Sequence, residues 1–190
     1  MTSLASETAV AVEIHRPRRL VLDRSIAGCI ALAALLHVGI GARGVLVAGV
    51  VAILVELAAV DLERRILPNR LVLPTLLVVL AAQLALDSAF YLQTLASAVG
   101  AGLFLLIPSL IRRGAVGMGD VKLAALLGAA LGPLVVTALA IGLTAAGVYA
   151  LLLVMARSRT VLKQEIPLGP FLAGGAIAAV LLAAPGALGS

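Results

Sequence analysis

The chain has 190 residues, 63% hydrophobic and only 12% charged, and its mean hydropathy of +1.21 lies outside the range of soluble domains. Its net charge of +5 comes from basic residues spread over short segments with few aromatic partners, a pattern that excludes a nucleic-acid surface. A lone cysteine, Cys29, excludes an internal disulfide or a paired-cysteine zinc site, and its apolar surroundings predict a buried thiol.

Residues 1–24 carry Arg16, Arg18, Arg19 and Arg24 without a sustained apolar run, and read as a disordered basic tail beside anionic lipid. The run Ile26-Ala27-Gly28-Cys29 looks like a lipoprotein processing box, but Asp23 and Arg24 occupy the place of the signal's apolar stretch. Residues 25–190 read as one transmembrane domain, with uncharged stretches at 25–41, 44–60 (interrupted by Glu56), 71–86, 88–111, 123–131, 134–156 and 166–188. The fold class expected is all-α: a polytopic transmembrane bundle of about six to seven membrane helices. As one helix, residues 123–156 would measure about 51 Å, beyond the ~30 Å hydrocarbon core, so a break is expected at Gly132-Pro133.

Positive charges orient the bundle. With the tail in the cytoplasm, alternation places loops 61–70, 112–120 and 157–165 there as well, and of the 14 Lys and Arg residues only Arg43 then falls outside. The predicted location is a plasma membrane, crossed several times, with a cytoplasmic N-terminus.

Acids near membrane depth are costly, so each one needs a reason. Asp87 and Glu165 fall in or beside loops and read as solvated, whereas Glu56, Asp61 and Asp120 adjoin or interrupt apolar stretches. Alone, Asp61 beside Arg64 and Arg65 reads as a loop ion pair, and Asp120 after Gly117 and Gly119 reads as a helix N-cap. The orientation derived from the arginines, however, puts both acids on one face. Two carboxylates sharing a site hold a proton between them, so one can activate water while the other polarises a carbonyl, which is aspartyl protease chemistry. Helix-end potentials, with Lys122 near Asp120, predict Asp61 as the protonated member. Glu56, about 140° around the helix from Asp61, is expected inside the bundle, and His37 in an interior hydrogen bond.

Three segments carry a resemblance to the bacterial type IV prepilin peptidases, membrane proteases with a Gly-x-Gly-Asp motif. Residues 61–74, DLERRILPNRLVLP, resemble the first catalytic segment, an aspartate followed by the Pro68-Asn69 turn. Residues 117–128, GMGDVKLAALLG, resemble the second, and residues 166–173, IPLGPFLA, are similar to a C-terminal segment of that family. The resemblance implies Asp61 and Asp120 as catalytic residues, supported by Gly117, Gly119, Lys122, Pro68 and Asn69, with no metal and no cofactor. It implies a pilin or pseudopilin precursor as partner, with a basic leader before an apolar helix, cut at the cytoplasmic face. Paired cysteines of an N-terminal region found in many members are missing, so peptidase activity is expected without N-methylation. Gly128, Gly132, Gly174 and Gly175 could admit a substrate helix, although packing of the chain's own helices is the expected use. The alternative is a small ion or proton-coupled transporter whose path runs through the intramembrane carboxylates.

Overall fold

A computed structural model of the chain describes residues 25–64, 69–111, 116–157 and 167–183. Among these, seven α-helices follow in order: α1 (Ser25–Val38), α2 (Ala42–Arg64), α3 (Asn69–Leu86), α4 (Tyr91–Ile111), α5 (Met118–Leu131), α6 (Val135–Arg157) and α7 (Gly169–Leu182). The predicted break is present. Residues Gly132–Leu134 form a single 3-10 turn, opened by Gly132 at φ 55°, a left-handed value that glycine tolerates because it lacks a Cβ.

Helices are the expected solution here, because apolar surroundings offer the backbone no other hydrogen-bond partners. By length and composition the segments Ala42–Leu62, Tyr91–Ile111 and Met118–Ala156 are apolar enough to span a bilayer, and shorter apolar helices accompany them. The outer surface carries Leu77, Leu92, Leu110, Ile111, Met155 and Leu182, all more than 60% exposed. In water such a surface would be a large aggregation liability; in lipid it is the solvated face.

The centre is α5, in which nine of fourteen residues are buried, and which packs against α2, α3, α4, α6 and α7. Small residues set how closely its neighbours approach. A Cβ added at Gly128 would lie 2.6 Å from the Ala98 Cα of α4, and one at Gly175 only 2.7 Å from the Gly142 N of α6. These glycines therefore pack the chain's own helices, as expected.

At the end of the bundle away from Asp61 and Asp120, Arg43 pairs with Asp87, whose Oδ1 accepts the Ala89 and Phe90 N–H groups at 3.2 and 3.3 Å. Asp87 thus ties α2 to the start of α4 rather than serving only as a solvated charge. Gln83 reaches the Ala129 and Ala130 carbonyls at 3.4 and 3.5 Å, near the C-terminus of α5. His37 shares a 2.9 Å hydrogen bond with the Ala183 carbonyl past the end of α7, the interior contact expected of it. Two expectations fail. Cys29 is exposed on α1, because the apolar solvent of this fold is outside as well as inside, and Glu56 is exposed on α2 rather than inside the bundle.

Candidate active site

Asp61 lies in the last turn of α2, which continues through Leu62-Glu63-Arg64, residues that extend a helix readily. Its side chain is only 5% exposed; among the described residues the buried polar side chains are Asp61 and Thr94. A buried carboxylate is costly without hydrogen bonds. One is supplied by the Gly169 N–H, which donates to Asp61 Oδ2 at 3.2 Å across 108 residues of chain. Gly169 is the first residue of α7, where backbone N–H groups have no partner within the helix.

Asp120 is the third residue of α5. The helix opens at Met118, and Gly117 at φ −66° and ψ 142° is its N-cap, with no side chain to cap it. The Asp120 carboxylate instead turns back to the Gly117 backbone, one half of a capping box. This corrects the reading of Asp120 as the N-cap: the helix opens two residues earlier, at Met118, so Asp120 is already helical. A Cβ at Gly117 would stand 3.1 Å from Asp120 Oδ2, so the motif's first glycine leaves room for the carboxyl. The chain entering the motif is held by Ser109 Oγ, which donates to the Val116 carbonyl at 3.0 Å.

The two acids come together. Asp61 is the neighbouring charge that acts on Asp120 through space, and the helices that carry them, α2 and α5, pack on each other and on α7. Each carboxyl meets the N-terminal backbone of a helix, Asp61 that of α7 and Asp120 that of α5. Helix-end potentials therefore do not separate the pair, and the ground for placing the shared proton on Asp61 is lost.

The supporting residues divide. Gly119 is half-buried inside the first turn of α5. Lys122 is half-buried and engaged in an interaction, but two positions along a helix place it about 200° from Asp120, off that face. Asn69 opens α3, while Pro68 lies outside the described residues. Glu56 does not join the pair, and the three-acid path of a transporter finds no support. Among the described residues no three His, Cys, Asp or Glu side chains converge.

Gly169 is the residue that sequence reasoning missed. Pro170 follows it as the second residue of α7, where a missing N–H costs nothing. A glycine directly before such a proline was the available signal.

A family model described as the type IV leader peptidase family matches residues 48–184, a stretch that holds both acids and Gly169. The chain belongs to this family. It is 32% identical over 167 residues to a Burkholderia pseudomallei (strain K96243) protein named prepilin leader peptidase/N-methyltransferase, covering 83% of this chain and 53% of that protein. A Bacillus subtilis (strain 168) protein of the same name is 33% identical over 134 residues, covering 69% of this chain and 53% of its own length. The chain thus spans about half the length of these leader peptidase relatives. No solved structure matches it.

Proposed function

We propose that this chain is a membrane aspartic endopeptidase that removes the basic leader of type IV prepilin-like precursors at the cytoplasmic face of a bacterial plasma membrane. The observation that supports this reading is that the packing of α2 on α5 brings Asp61 and Asp120, two acids 59 positions apart, to one end of the bundle, near enough for the charge of one to act on the other. Family membership and the names of the relatives support the substrate class, and the distribution of arginines supports the cytoplasmic face.

In the proposed reaction one carboxylate of the pair takes a proton from a water molecule as its oxygen attacks the scissile carbonyl carbon. The other carboxyl gives its proton to the carbonyl oxygen, leaving a neutral gem-diol. Collapse of the diol returns one hydroxyl proton to the second carboxylate. The proton held by the first passes to the departing nitrogen as the C–N bond breaks. Each carboxyl ends in its starting state. Because the pair titrates as a unit, neither oxygen needs a fixed role at rest. The reaction proposed for this pair is hydrolysis.

The test is reconstitution of the chain in liposomes with a precursor that has a basic leader and an apolar helix. Leader release, with a product mass free of an added methyl group, supports the proposal. Ion flux with an uncut precursor would point to the transporter instead.

A further inference from the structure

We infer that Gly169 is a positioning residue for the proposed cleavage: its backbone N–H fixes the Asp61 carboxyl, and its lack of a side chain makes the space that carboxyl occupies. This inference rests on Asp61 and Asp120 being the reacting pair. Two independent geometric facts carry it. The first is the 3.2 Å hydrogen bond from the Gly169 N–H to Asp61 Oδ2. The second is steric, since a Cβ built at Gly169 would stand 2.6 Å from Oδ2, 3.1 Å from Cγ and 3.3 Å from the Asp61 Cβ. The whole acid group lies against this glycine, so an added methyl cannot be absorbed by bending one distant atom.

The donor is carried on a firm support. Leu172 N–H returns to the Leu168 carbonyl at 3.0 Å, closing the first turn of α7, and Leu172 and Ala173 are buried in the core immediately behind it. A donor that binds Oδ2 restrains the rotation of the Asp61 carboxyl. A displacement on the order of 1 Å in such a group is enough to cost about 10²-fold in rate.

The experiment uses the full chain in liposomes with the precursor described above, and compares Gly169→Ala with Gly147→Ala, a helical glycine at which a Cβ meets nothing within 4 Å. For Gly169→Ala, kcat per folded enzyme is expected to fall on the order of 10²-fold with KM within about twofold, while Gly147→Ala stays near wild type. Thermal unfolding gives the second readout. Gly169→Ala should lower Tm in the wild-type background but not in an Asp61→Ala background, where loss of the carboxyl makes room for the methyl. Asp61→Asn and Asp120→Asn are run alongside. If they leave cleavage intact, the protease reading fails and this inference falls with it. If they abolish cleavage while Gly169→Ala behaves like Gly147→Ala, this inference alone is overturned. Should Gly169→Ala not accumulate, recovery of accumulation by the Asp61→Ala/Gly169→Ala double variant supports the inference, and failure to recover overturns it.

Discussion

Asp120 does two jobs with one carboxyl: it reaches back to the Gly117 backbone at the start of α5, and it faces the charge of Asp61. A side chain at Gly117 would press on this carboxyl, because a Cβ there would stand 3.1 Å from Oδ2. Gly117→Ala is expected to cut cleavage by roughly an order of magnitude through misplacement of the acid, with the protein still inserted and folded; initial rates at matched membrane levels check this. The pair was legible in the sequence because charge is rare in this chain and the arginines orient it. Two acids that interrupt apolar stretches on the same side stand out against that background. Gly169 could be noticed as a glycine before a proline, but its part, played by a backbone N–H and an absent Cβ, does not show from sequence which distant side chain it meets. The ground for the proton placement fell away for a related reason. Local helix ends can be read from sequence, whereas the α7 terminus that meets Asp61 arrives from 108 residues away.

At the scale of helices, the uncharged stretches located all seven elements and the Gly132 break, because hydropathy and charge are what the bilayer selects on. The ends were less legible. α5 begins at Met118, ahead of the predicted 123, since Asp120 and Lys122 can lie within a helix whose first turn is capped by backbone. The close approach of α4 and α5 at Gly128 makes a clear demand: Gly128→Ala should destabilise the bundle by about 1–3 kcal/mol through overpacking against Ala98. Gly100→Ala, where a Cβ meets nothing within 4 Å, should instead be neutral or gain up to about 1 kcal/mol of helix propensity. Thermal unfolding in detergent distinguishes them. At the far end of the bundle, Asp87→Ala removes both an ion pair and the acceptor for the Ala89 and Phe90 N–H groups in the turn that leads into α4. It should cost about 1–2 kcal/mol, more than Arg43→Ala, and leave cleavage near wild type because neither residue is near the acids.

For the molecule as a whole, the proposed topology, read from the lopsided arginines, puts Met118 on the cytoplasmic side and Ser88 on the opposite side. In a Cys29→Ala background, Met118→Cys should react with an impermeant thiol reagent only from the cytoplasm, and Ser88→Cys only from outside. The reverse pattern would invert the proposed topology and contradict cleavage at the cytoplasmic face. In the proposed mechanism the acids act as a unit rather than as two independent helpers, and this is the claim on which the account depends. Its most direct measurement is precursor cleavage by Asp61→Asn, Asp120→Asn and the double variant, each at matched membrane levels. The account predicts that either single substitution lowers cleavage by at least about 10³-fold and that the double variant is no worse than either single. Near wild-type cleavage by either single variant would contradict it.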